Sequence, residues 1–142
     1  MTAVFVHLET QPNSLYARVG GEPFFYALVE RFYAGVADDA ILRPLYPPDL
    51  EPPKRRLALF LMQYWGGPQT YSAERGHPRL RMRHVRFPIG LRERAAWLEH
   101  MAAAVAASDA TPGDKQALTD YFARAATSLL NRSEGDLRTT LP

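Results

Sequence analysis

Residues 63–84 read QYWGGPQTYSAERGHPRLRMRH, and the fold turns on this stretch. A helix running into Tyr64-Trp65 meets Gly66-Gly67-Pro68, which frees the backbone and then removes a donor, so the helix ends there. From 66 to 78 the chain reads as loop, and a loop that long in a compact domain marks a functional segment. Pro78 and Pro88 leave room for only a turn or two of helix carrying Leu80, Met82, Arg83 and His84. Both ends of that pinned segment can direct the ring of His84.

Upstream, Lys54 to Trp65 places Leu57, Phe60, Leu61 and Tyr64 on one helical face, while five prolines between Arg43 and Pro53 forbid a long helix. Before them, Asn13 or Ser14 caps a stub helix through Val19, stopped by Gly20-Gly21. Pro23 suits the first turn of the next helix, in which Phe24, Leu28, Phe32 and Val36 repeat every four residues beside Phe25, Val29 and Tyr33. So broad an apolar arc packs against more than one neighbour. Downstream, Leu91 to Ala107 sets Leu98, Met101 and Val105 together with Trp97 at the side. Thr111-Pro112-Gly113-Asp114 supplies a cap, a first-turn proline and a first-turn acid for a helix striped by Leu118, Tyr121, Phe122, Ala125 and Leu129. No segment alternates at period two, so the predicted class is all-α.

At 142 residues the chain predicts one domain, 13–131, with tails at 1–12 and 132–142. The absence of cysteine excludes disulfides, thiolate zinc sites and a thiol nucleophile. No run reaches the ~18 to 20 apolar residues that cross a bilayer, and the N-terminus lacks a basic signal-peptide region. A cytoplasmic protein without membrane contact is the expectation. The net charge of +2 conceals a gradient: residues 75–94 carry seven arginines (75, 79, 81, 83, 86, 92, 94) against Glu93, +6 in all, and the remainder carries −4. A polyanion, an anionic small molecule or plain solvation could lie behind that window.

The chemistry of metals narrows to histidine. His7, His77, His84 and His100 include no i, i+4 pair for zinc. His7 falls in a tail, and His100 reads as a half-exposed helix residue. One histidine suffices where a macrocycle supplies the other four ligands; a solvated surface histidine is the alternative reading of His84. No serine sits in a nucleophile elbow, no glycine loop precedes a phosphate-binding lysine, and Asp38-Asp39 falls at a helix end, where a solvated turn is the expected role. Tyr33, Tyr46 and Trp97 lie near apolar stretches, so each needs a partner for its donor: a backbone carbonyl, or one bound polar ligand on which all three converge.

The run Gln63 to Pro68, then Thr70-Tyr71-Ser72, Gly76 to His84, and Trp97-Leu98 thirteen residues after the histidine, resembles the truncated haemoglobins of group II from about Ser14 to Asn131. The resemblance implies a two-over-two helical sandwich around haem b (iron protoporphyrin IX), with His84 the proximal iron ligand and the sixth position open. It implies polar distal groups at Tyr33, Tyr46 and Trp97. Leu57, Phe60 and Leu61 would line the haem pocket, and Phe87 and Met101 would contact the macrocycle. Arg56 and Arg83, with Tyr71, would meet the propionates, since a guanidinium fork matches a carboxylate. Pro52-Pro53-Lys54 departs from the family pattern at the start of the distal helix, which makes Pro53 the candidate gate. The implied partners are dioxygen and other diatomic gases; oxygen transport with slow release, nitric oxide dioxygenation and peroxidase-type chemistry all fall within the resemblance. Turnover would need an external reductase, and a homodimer is a compatible assembly. Without the resemblance, two other readings stand: a helical module that binds nucleic acid or another polyanion through 75–94, and a helical interaction module with no cofactor.

Overall fold

The structure, a computed structural model, describes residues 12–132. Apart from Pro12 and Arg132, the expected tails, His7 included, lie outside the described residues. Among the described residues there are seven α-helices, one 3-10 turn and no strand. They are α1 (Leu15–Arg18), α2 (Glu22–Ala37), α3 (Glu51–Tyr64), α4 (Thr70–Arg75), α5 (Leu80–Arg83), α6 (Leu91–Ala106) and α7 (Pro112–Ser128). The 3-10 turn, Arg43–Leu45, lies between α2 and α3. The long helices associate as two pairs, α2 with α3 and α6 with α7, and α2 crosses α6 to join them.

Local chemistry explains the boundaries. Ser14 Oγ accepts from the amide of Ala17 at 3.1 Å and opens α1, and Thr111 Oγ1 accepts from the amide of Asp114 at 3.1 Å and opens α7. Gly20 and Gly21 take φ of 97° and 79° between α1 and α2, a conformation that other residues adopt only under strain. Arg18 meets Asp114 at 2.9 Å and ties the stub to the start of α7. The apolar arc of α2 is buried along its length at Phe25, Leu28, Val29, Phe32, Tyr33 and Val36. Two neighbours, α3 and α6, share that arc.

Two boundaries differ from expectation. The helix expected from Lys54 begins at Glu51, because Pro52 and Pro53 occupy its first turn, where amides have no intrahelical partner to lose. The stretch 66–78, expected as loop, contains α4. That helix is held from outside: Gln63 Nε2 donates to Ser72 Oγ at 2.8 Å, and Gln63 Oε1 accepts from the Ser72 amide at 2.9 Å. The proline-rich connection is held locally instead, by its own first residue. Its prolines donate nothing, and Arg43 donates to the carbonyls of Tyr46, Pro47 and Pro48 at 3.3, 3.0 and 2.9 Å.

His100 and Asp39 form a joint between α6 and the end of α2. His100 Nε2 lies 2.6 Å from Asp39 Oδ2, and Asp39 Oδ1 also accepts from the amides of Ile41 and Leu42 at 2.8 and 3.0 Å. His100 is the half-exposed helix residue expected, whereas Asp39 is bonded rather than freely solvated. The bond from His100, followed by the Leu42 amide, holds the Asp39 carboxyl below its ordinary range. A depressed carboxyl contributes stability that is present above its unfolded value and is lost as the pH falls through its folded value. Thermal melting points should therefore decline on acidification below the ordinary carboxylate range, and less steeply in Asp39→Asn. Equal slopes for the two proteins would contradict this role.

Candidate functional site

A cavity of about 340 Å³ opens between the two helix pairs, a size within the range of small-molecule and cofactor sites. Tyr33 of α2 and Tyr46 of the proline-rich connection stand on one side, with Pro53, Arg56, Leu57, Phe60 and Leu61 of α3. Tyr71 of α4, Leu80 and Arg83 of α5, and His84 and Phe87 just beyond α5 also contribute, as does Trp97 of α6. The structure thus brings together every side chain that the family resemblance assigned to the site except Met101. Met101, one turn beyond Trp97 on α6, is fully buried in the helix core and is not among the lining residues. Its place is taken by α7, whose Tyr121, Phe122 and Ala125 complete the wall.

His84 caps the C-terminus of α5. Its Nδ1 lies 2.6 Å from the Leu80 carbonyl oxygen, so Nδ1 carries a proton and donates, and in the neutral ring Nε2 then keeps its lone pair. Among the described residues no group of three or more His, Cys, Asp or Glu side chains could hold a metal ion. A single oriented histidine in a mostly apolar cavity suits a metal that arrives with its other ligands in a macrocycle, and the apolar walls suit the macrocycle's faces. The residues present fit haem.

The segment carrying His84 is fastened at both ends. Upstream, Arg83 Nε donates to the Pro78 carbonyl at 2.6 Å, and its Nη2 to the carbonyls of Arg75 and His77 at 2.9 and 3.3 Å. Between them Arg79 takes φ 43°, a left-handed conformation that costs a non-glycine residue about 1–2 kcal/mol. Downstream, the Asn131 carboxamide bonds the carbonyls of His84 and Phe87 and the amide of Ile89. Sequence reasoning missed Asn131, which stood there only as the end of the domain. It also missed Glu93, a buried lining residue whose Oε1 accepts from the Gly90 amide at 2.9 Å and starts α6.

The polar groups on the α2 side are coupled. The rings of Tyr33 and Tyr46 meet edge to face with centroids 5.4 Å apart, and Phe32 stands 5.2 Å from Trp97. Burial pushes the Tyr33 phenol far above its ordinary range. Burial raises Tyr46 as well, opposed by hydrogen bonding with Trp97 and Tyr33. Both phenols therefore keep their hydrogens and serve as donors at any physiological pH.

The basic groups divide. Arg56 faces the cavity, and among the described residues no carboxylate pairs with it. The guanidinium groups of Arg75 and Arg83 lie 6.0 and 5.9 Å from the centre of the Tyr71 ring. Arg94 Nε donates to Thr127 Oγ1 at 2.9 Å and bridges α6 to α7, and Arg92 meets Glu93 at 3.5 Å. Much of the +6 window is thus committed to contacts within the fold.

A family model described as bacterial-like globin matches residues 14–131. The chain is 44% identical over 89 residues to the group 2 truncated hemoglobin YjbI of Bacillus subtilis, covering 63% of this chain and 67% of that protein. The hemoglobin of the thermophilic phototroph Chloroflexus aurantiacus superposes with a TM-score of 0.82 at 53% identity, over 84% of this chain and 98% of that one. The group II truncated hemoglobin of Bacillus anthracis superposes with a TM-score of 0.83 at 33% identity, over 87% of this chain and all of that one, 100%.

Proposed function

The chain belongs to the bacterial-like globin family, in its group II truncated branch, and so to proteins that bind ligands through haem; from this we propose that it holds haem b on His84 and binds dioxygen and other diatomic gases with slow release. Its α2–α3 and α6–α7 pairs are the two layers of the two-over-two sandwich. The functional unit is 13–131.

One observation carries the reading. His84 is a histidine in an apolar cavity with its Nδ1 proton committed to the Leu80 carbonyl 2.6 Å away, which presents Nε2 as a neutral, oriented ligand. Haem, when bound, would supply an iron that His84 holds and that can take a diatomic gas. The chain's own groups then do three things. Leu57, Phe60 and Leu61 exclude water from the pocket. Tyr33, Tyr46 and Trp97, hydrogen-bonded among themselves in this structure, would turn donors to a ligand carrying partial negative charge, each worth roughly 1–3 kcal/mol in a dry site. Arg56, with Tyr71, meets the propionates, while Arg83, already bonded to three carbonyls, serves them less and the loop more. Pro53, buried in the first turn of α3, gates the pocket without adding a donor.

Nitric oxide dioxygenation or peroxide chemistry would use the same donors, with electrons delivered by an external reductase in the cytoplasm. Among the described residues no helix is long and apolar enough to cross a membrane.

The test is spectroscopic. Purified protein mixed with hemin should give the intense Soret band of His-ligated haem; a protein that stays colourless would refute the proposal. Trp97→Phe should release dioxygen about tenfold faster by stopped flow, since a hydrogen bond of about 1.4 kcal/mol is lost. An unchanged release rate would remove Trp97 from the donor set.

A further inference from the structure

We propose that Asn131 is a positioning residue for the iron ligand: it locks the backbone that carries His84 and so sets the tilt and rotation of the imidazole. The inference rests on the reading of His84 as that ligand.

The carboxamide of Asn131 uses both its ends on one short segment. Its Nδ2 donates to the carbonyl oxygens of His84 at 3.2 Å and Phe87 at 2.9 Å, and its Oδ1 accepts from the amide of Ile89 at 2.8 Å. Its backbone amide donates to the Ile89 carbonyl at 2.9 Å. The segment needs such a hold. Helix α5 has four residues, too few to be stable alone, and Pro88 offers no amide to a ladder. With Nδ1 tied to the Leu80 carbonyl at 2.6 Å, the ring is anchored on its upstream side; Asn131 anchors the backbone on the downstream side. The anchor comes from 47 residues away, just past the end of α7, whose Phe122 and Ala125 line the same cavity. The end of α7 therefore sets where His84 stands. Asparagine suits the place because its side chain presents a donor pair and an acceptor together.

The experiment uses the full chain loaded with haem, in the ferrous unligated form, as the unsubstituted protein, Asn131→Ala and Asn131→Gln. Resonance Raman spectroscopy reads the iron–histidine stretching band, and transfer to apomyoglobin reads haem loss. Circular dichroism checks that each variant is folded. In Asn131→Ala the band should shift and broaden and haem loss should be about tenfold faster, as for loss of an outer partner of a metal ligand. In Asn131→Gln, which keeps the amide one methylene out of place, the shift should be smaller. A band of unchanged position and width in either folded variant overturns the proposal even if the melting point falls, because a purely structural residue would move only the melting point. If the unsubstituted protein gives no iron–histidine band, the assignment of His84 fails and the proposal with it.

Discussion

His84→Gly should yield a folded protein that does not retain haem. The expected loss exceeds the roughly 10–100-fold that removal of an outer partner costs a metal site, because the bond removed is the protein's own bond to the metal. Among the described residues the remaining histidines are poor substitutes: His100 is engaged with Asp39, and exposed His77 accepts from the Arg79 amide at 3.1 Å through its Nδ1. Adding imidazole in solution to the variant should restore haem binding and the Soret band, since the free base can occupy the vacated volume. Haem held as firmly and with the same spectrum as in the unsubstituted protein would place the iron ligand elsewhere. Any loss of helical content should be confined to the single turn of α5, which His84 caps.

Gly35→Ala should destabilise the crossing of α2 and α6. A Cβ at Gly35 would run into the His100 ring, reaching Nδ1 first, then Cγ at 2.8 Å and Cε1 at 3.0 Å. Real Cβ atoms do not approach so closely, so either the α2–α6 crossing opens or the ring swings away. Swinging away breaks the 2.6 Å contact between His100 Nε2 and Asp39 Oδ2. Overpacking of this kind costs about 1–3 kcal/mol, against which alanine recovers up to about 1 kcal/mol of helix propensity. In a protein of this size each net kcal/mol lowers the melting point by about 2–4 °C. The double variant Gly35→Ala/His100→Ala should regain most of the loss attributable to the clash. A double variant no more stable than the sum of its singles would show that His100 is not what the new methyl group meets.

The elements that were legible in the sequence are those whose own residues build them. The fourfold spacing from Phe24 to Val36 and the Thr111-Pro112 start of the last helix depend on neighbours within a turn or two, and α2 and α7 lie where that spacing puts them. The start of α3 was hidden because two prolines read as an interruption when they are the first turn itself. Helix α4 was hidden for another reason: six residues with no stripe are held by the Gln63 side chain, which no local pattern reveals. The same division runs through the site. The residues named through the family motif converge on one cavity, except Met101, which is fully buried in the helix core. The bonds that orient them escaped, because most end on backbone carbonyls, and a carbonyl has no letter in a sequence. Asn131 and its targets at 84–89 have no pattern in common that could have paired them.

The four-residue length of α5 has a consequence for where the molecule opens first. A segment that cannot nucleate its own helix owes its order to Arg83, to Asn131 and to whatever His84 binds. It is thus among the first parts of the molecule to open, and anything that binds only its closed form shifts that opening by mass action. A ligand held on His84 would raise the free energy of that opening, so trypsin should cut beside Arg79 more slowly in protein loaded with haem than in protein without it.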